Sequence, residues 1–133
     1  MRLLDDPSIQ LSNVYTLQEN EISFLNSNLV GVFYIKKRLI GWEKNYFILN
    51  FELNNLTYWN SYPSTKRNKL KLKKNLKLKI RKKDDFNFRV KICQDIGPLT
   101  INKLIIKIKD YDAYTLFIKN LAIRMFLNKE ENK

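Results

Sequence analysis

Lys36, Lys37 and Arg38 stand together, followed at once by the aliphatic pair Leu39-Ile40 and then by Gly41. Lysine and arginine present donors and positive charge to phosphate or carboxylate oxygens. An adjacent aliphatic pair offers something to bury. Together they fit an anionic surface with an apolar interior. The same residues also read as an ordinary solvated turn. A second basic run covers residues 66–83, with eleven Lys or Arg and no acid. It reads as a binding stripe, or as an outward sheet face whose lysines discourage edge-to-edge pairing. The two roles are compatible.

Other chemistries find little material. The chain has no His, which removes the commonest general base. Its three glycines leave no phosphate-cradling loop, and no Cys/His/Asp group has metal-ligand spacing. Asp84-Asp85 and Glu130-Glu131 are sequence neighbours without an apolar pocket signal around them. No catalytic, cofactor-binding or metal residue is therefore assigned, and the chain reads as a non-enzyme. Trp42 and Trp59 read as packing or strand-face residues, and Cys93 as a buried hydrophobe.

A length of 133 residues predicts one domain, and 44% hydrophobic residues exclude wholesale disorder. The balance of 25 basic against 13 acidic residues gives +12, which favours polyanionic partners. The charge is uneven: residues 1–30 carry one base against four acids, and the remainder 24 against nine. A single cysteine excludes an internal disulfide and fits a reducing compartment. The start MRLLDDPS carries acids where a secretory signal needs an apolar run. The longest apolar run, Leu29 to Ile35, is too short to span a bilayer.

The elements that must position the cations follow from periodicity. Val30 to Ile35 and Tyr46 to Leu49 are rich in β-branched and aromatic residues and read as a hairpin, with the basic cluster and Gly41 at its tip. Leu56 to Trp59 is a third strand after an Asn54-Asn55 turn. From Leu70 to Arg81 apolar and cationic residues alternate, broken once at Lys74-Asn75. This predicts two antiparallel strands with a turn there, and Leu70, Leu72, Leu76, Leu78 and Ile80 on one face. Phe86 to Ile92 and Leu104 to Ile108 are the sixth and seventh strands, with a loop at Gly97-Pro98. A closing helix follows, capped by Asp110 or Asp112, with Tyr114, Phe117, Ile118, Leu121 and Met125 at helical spacing.

Before the hairpin, Asp6-Pro7-Ser8 marks a turn, and Thr16-Leu17-Gln18-Glu19 matches a capping box that predicts a short helix from Leu17 to Leu25. Its Leu17, Ile22 and Leu25 would pack on a second stripe of the closing helix, Leu116, Ile123 and Leu127.

This order of elements, with Gly31-Val32-Phe33, Trp42, Tyr46-Phe47-Ile48-Leu49, Leu56-Thr57-Tyr58-Trp59, Phe86-Asn87-Phe88 and Phe117, resembles the pleckstrin homology (PH) family over residues 29–128. The family shows G-x-L, then W-K-x-R-x-F-x-L, then L-x-Y-[YW], and a Trp in the closing helix, for which Phe117 stands in. The resemblance implies a mainly β fold, a bent seven-stranded antiparallel barrel plugged by the helix. Residues 1–28 would be an extension and 129–133 a charged tail. It also implies an open end whose loops bind phosphorylated lipid head groups in many members. Glu43 and Asn45 occupy the places where the family puts basic residues after the Trp, which argues against selectivity for a multiply phosphorylated inositol ring. Parity from Phe47 turns Asn45 and Glu43 toward the mouth and Lys44 away, while parity from Phe33 and Ile35 brings in Lys37.

The predicted lipid-binding residues are thus Lys36, Lys37, Arg38, Lys44, Lys66 and Arg67, with Leu39 and Ile40 inserting into the membrane; Lys66, Arg67 and Lys69 form a fallback phosphate site. The expected function is peripheral targeting to anionic lipid, phosphatidic acid ahead of phosphoinositide, by a monomer reversibly held from the cytoplasm. A protein partner on the closing helix or barrel flank is the alternative. Nucleic-acid binding by the Lys-rich face, with Tyr58-Trp59 as aromatics, is a weaker third. One PH subgroup couples the domain to an acylated N-terminus and senses phosphatidic acid on secretory organelles of apicomplexan parasites. Here Arg2 stands where N-myristoylation requires Gly.

Overall fold

The structure, a computed structural model, describes residues 17, 21–39, 41–60, 67–73, 75–82 and 87–131, and of 82 and 127–131 the backbone alone. Among the described residues, eight strands precede one helix: β1 (Ile22–Leu25), β2 (Asn28–Lys37), β3 (Gly41–Asn50), β4 (Asn55–Trp59), β5 (Asn68–Lys71), β6 (Leu76–Lys82), β7 (Phe88–Ile96), β8 (Leu99–Ile108) and α1 (Tyr111–Glu131). All pairings are antiparallel, in the order β5-β4-β3-β2-β8-β7-β6, with β1 added to β2. The seven strands expected from the sequence are β2 to β8.

The long strand β2 organises the rest by changing partners along its edge. Residues 28–31 pair with β1, and Tyr34 and Ile35 pair with Lys107 and Ile106 of β8. That second pairing joins the two halves of the sheet. The core lies between them, with Leu29, Phe33, Ile35, Phe47, Leu49, Val90, Ile92, Ile106 and Ile108 buried against α1. Asp110 caps that helix, its Oδ2 accepting from the Ala113 N–H at 2.9 Å. Phe117 enters the core, its ring 5.7 Å from Phe33 and 5.1 Å from Phe47. Ala113, Tyr114, Leu121 and Met125 complete the buried stripe, and Ile118 packs at its margin.

Three expectations need correction. The residues read as the end of an N-terminal helix, 22–25, form β1 instead; Thr16 and Glu19 of the capping box, and Asp6-Pro7-Ser8, lie outside the described residues. A helix this short is marginal alone, whereas the edge of β2 offers a ladder. Asn26 and Ser27, with φ of 51° and 72°, make the two-residue turn between the strands. The alternating stretch does give two strands, but β5 and β6 do not pair with each other. They pair with β4 and β7, at opposite ends of the sheet order. Ile80 is 58% exposed rather than on the buried face with Leu72 and Leu76, because alternation fixes a side of the strand and not how far the core extends.

The described N-terminal residues dock in two places, only one of them in part where the apolar spacing suggested, and the side chain of Leu127 lies outside the described residues. Leu17 and Leu25 pack on Val30, Val32, Tyr46, Ile48 and Trp59, a second cluster on the outer side of β2–β4. Ile22 joins the main core, Leu116 packs against that core, and Ile123 stays exposed. Close approach of β1 depends on Gly31. A Cβ there would lie 2.7 Å from both the Glu21 carbonyl oxygen and Ile22 Cγ1. Gly31→Ala should therefore push β1 off β2 and cost on the order of 1–3 kcal/mol. The checks are a melting temperature lower by several degrees and faster exchange of the Val32 N–H, which donates to Glu21 at 3.1 Å.

Candidate functional site

The β2–β3 hairpin ends in a tip where Lys37 pairs with Gly41, and Gly41 takes φ of 90°, a conformation glycine permits. Leu39 on that tip is 94% exposed, and Lys36 and Arg38 are exposed beside it. Ile40 lies outside the described residues. Parity along both strands holds as the core aromatics require: Phe33, Ile35 and Lys37 share one side, as do Phe47, Asn45 and Glu43.

The tip overhangs a concavity of about 250 Å³ between β2, β4, β5 and β8. Ile35, Leu104 and Ile105 form its apolar wall; Lys36, Lys37 and Lys103 supply charge; Tyr58, Asn68 and Asn102 supply neutral polar groups. Burial pushes the Tyr58 phenol above its ordinary pKa, so at neutral pH it keeps its proton and can donate. Lys103 was not foreseen in the sequence. Ile92 pairs with Leu104 and Cys93 with Asn102, so Lys103 is the extra residue of a β-bulge. Bulges re-aim side chains at barrel rims, and period-two reading cannot find one. Cys93 is buried as expected, its thiol donating to Asn102 Oδ1 at 3.2 Å.

Glu43 makes the mouth less positive than the lysines alone would. Its Oε1 lies 3.8 Å from Lys37 Nζ and accepts from Asn45 Nδ2 at 3.1 Å, while Oε2 accepts from Asn60 Nδ2 at 3.3 Å. Lys37 is thus held in place by a carboxylate that an incoming anion must outbid.

The remaining predicted cations go elsewhere. Lys44 lies over the Tyr46 ring at 5.5 Å and Arg67 over Trp59 at 5.5 Å, both on the outer side of the sheet. Neither lines the mouth: Lys44 faces away from it, as the parity from Phe47 requires, and Arg67, also expected to bind lipid, lies with the second cluster. Lys66 lies outside the described residues, and Lys69 is exposed on β5, pairing with Thr57. Tyr58 and Trp59 face opposite sides, and Trp59 is buried, so they cannot form one stacking platform for bases. A second apolar tip, missed in the sequence, flanks the mouth. The β7–β8 turn carries Ile96, 50% exposed, and Leu99, 63% exposed. Among the described residues no group of His, Cys, Asp or Glu could hold a metal.

No family model matches the chain, and no curated protein does. Among solved structures, the PH domain of human oxysterol-binding protein-related protein 11 is similar, at 19% identity and a TM-score of 0.60, over 78% of this chain and 84% of that one. The fold is therefore that of a PH domain. No helix among the described residues is long and apolar enough to cross a membrane.

Removing the charge of Glu43 should free Lys37. Glu43→Gln keeps oxygen for the two amide donors and is expected to tighten binding of inorganic phosphate about two- to fivefold, the range of an exposed ion pair. An NMR titration reads this from the Lys37 and Lys103 amides. Equal affinity in both proteins would remove Glu43 as the competitor.

Proposed function

We infer that this domain is a peripheral membrane-targeting module whose mouth takes the phosphate of an anionic phospholipid. The carrying observation is the convergence of Lys36, Lys37 and Lys103 on one concavity beside the exposed Leu39. Three lysines suit a small phosphomonoester, whose charge approaches −2 near neutral pH. Lysine serves such a group as a point charge without the bidentate fork of arginine. With Glu43 and Asn45 where related domains carry cations, a ring bearing several phosphates lacks ligands and meets a carboxylate. Phosphatidic acid is accordingly the favoured lipid, with phosphoinositides behind it. Its small head group leaves room for Leu39 on one side and the Ile96–Leu99 tip on the other to reach the acyl boundary.

Attachment is reversible on this reading, because each cation near the surface contributes about 1 kcal/mol and salt screens it. A second reading, a protein partner on α1, is favoured by the exposed Ile123 and Phe126. Peptide or lysate binding that ignores lipid would support it.

Vesicle sedimentation tests the lipid reading. Lys37→Glu should lower binding to phosphatidic-acid vesicles roughly tenfold or more, as reversal of one charge near the surface implies. Lys119→Glu, on the exposed side of α1, should change it little. Calorimetry with soluble inositol tris- and tetrakisphosphates should give weak heats. Submicromolar, stoichiometric binding there would overturn the choice of phosphatidic acid.

A further inference from the structure

The outward side of the strands beyond the mouth carries cations in ranks of which only Lys36 also lines the mouth. One rank runs across five strands in register: Arg81 opposite Arg89, Arg89 opposite Lys107, Lys107 opposite Tyr34, and Tyr34 opposite Lys44. A parallel rank, interrupted at Ile105 of β8, places Lys79 opposite Lys91, and Lys36 opposite Trp42. Like charges directly opposite one another weaken a sheet. Protection of a free edge accounts for lysines on β6, which ends the sheet order. It does not account for Arg89 and Lys91 on β7 or Lys107 on β8, which are paired on both sides.

Two aromatic rings hold these cations upright. Arg89 and Lys107 lie 4.8 and 4.5 Å from the Trp42 centroid, and Lys109 lies 4.8 Å from that of Tyr34. Arg89 Nε is buried with no hydrogen-bond acceptor among the described residues. Lys77, nearer the β7–β8 tip, is neutralised by Asp95, so the field begins at Lys79.

We propose that this flank is a second contact with the anionic bilayer, one that reads surface charge rather than a particular head group. This rests on the membrane reading of the mouth and extends it. The array spans about 19 Å across five strands and is two ranks deep, at the usual strand spacing. A bilayer presents an extended anionic surface that can meet an array of this width, whereas a nucleic-acid strand would want open rings, and Trp42 is already covered by Arg89 and Lys107. The ranks also lie close to the rim. Lys36 and Trp42 are one residue below the Lys37–Gly41 pair, and Tyr34 and Lys44 are three below, about 3 and 10 Å along the strand. Both fall within about a Debye length at physiological salt. A domain tilted onto the β2–β3 hairpin therefore brings mouth and flank to one surface.

The test pairs vesicles of equal charge, one set containing phosphatidic acid and the other phosphatidylserine, against wild type and the double variant Lys79→Glu, Arg81→Glu. A second double variant, Lys71→Glu with Lys119→Glu, makes the same charge change away from the flank. The flank variant should lose about tenfold or more on both lipid sets. Its melting temperature should stay level or rise, because Glu then faces Lys91 and Arg89. Phosphate binding at the mouth should be unchanged. Lys91→Gln, a milder change, should lose about two- to threefold. If the flank variant loses no more than the control while wild type still binds, the flank contact is refuted and the mouth stands. Should wild type bind neither vesicle set, the membrane reading itself falls. Tighter binding to a single-stranded oligonucleotide, abolished by the flank variant, would overturn the bilayer as its occupant.

Discussion

The stacked pair Phe33–Phe47 sets the geometry on which the site depends. The rings lie 4.5 Å apart on adjacent strands, offset by two residues because Phe33 pairs with Asn45 and Gly31 with Phe47. Such diagonal aromatic contacts fix register as well as adding about 0.5–1.5 kcal/mol each. Phe117 closes on both rings from α1, so the helix is locked to the same point. With Phe33 inward, Ile35 and Lys37 follow on one strand; with Phe47 inward, Asn45 and Glu43 follow on the other. The Lys37–Glu43 pair at the mouth is thus a consequence of packing deep in the barrel. A slip of β3 by one residue would turn Lys44 inward and Phe47 outward.

The same two strands are apolar on their other side, and this explains β1. Val30, Val32, Tyr46 and Ile48 alternate with the core residues, so each strand reads as a continuous apolar run. A strand in an antiparallel sheet with one face in water alternates; one that does not is covered twice. The cover comes from Leu17, Leu25 and the buried Trp59. The signal was present in the sequence as the unbroken stretch from Leu29 to Ile35. Too short to span a membrane, that stretch requires an element to lie over the hairpin.

What could be read from the chain was local, and what escaped was long-range. Seven strands and the helix follow from periods of two and 3.6, and Asp110 and Gly41 follow from the conformations they favour. Pairing does not. The Lys74-Asn75 break looks like a hairpin turn from within, yet β5 and β6 go to separate partners, with Leu72 N–H bonded to Asn54 and Asp95 N–H to Asn75. Lys103 needed a bulge defined by β7. Arg89 and Lys107 are eighteen positions apart in sequence, and only the register of β7 on β8 sets them over one tryptophan contributed by β3. The basic residues of the hairpin divide by parity: Lys37 shares the side of Phe33 and Ile35, whereas Lys36 and Lys44 take the outward side, and of those two only Lys36 lines the concavity.

On the reading proposed above, charge is handled differently at the two surfaces, which divides the labour between them. At the mouth a carboxylate sits within 4 Å of the best-placed lysine and is fixed by two amides, so a weak or diffuse anion gains little by displacing it. A concentrated phosphomonoester gains more. That is a filter. On the flank the register sets cation against cation, and the field adds up and extends into solvent. Fields of this kind raise encounter rates more than they discriminate. A module built this way would approach any anionic surface by its flank and remain where the mouth finds a phosphate small enough to pass Glu43. The repulsion stored across β6, β7 and β8 is then the stability given up for that approach, and it is tolerable because Trp42 and Tyr34 disperse part of the charge over their rings.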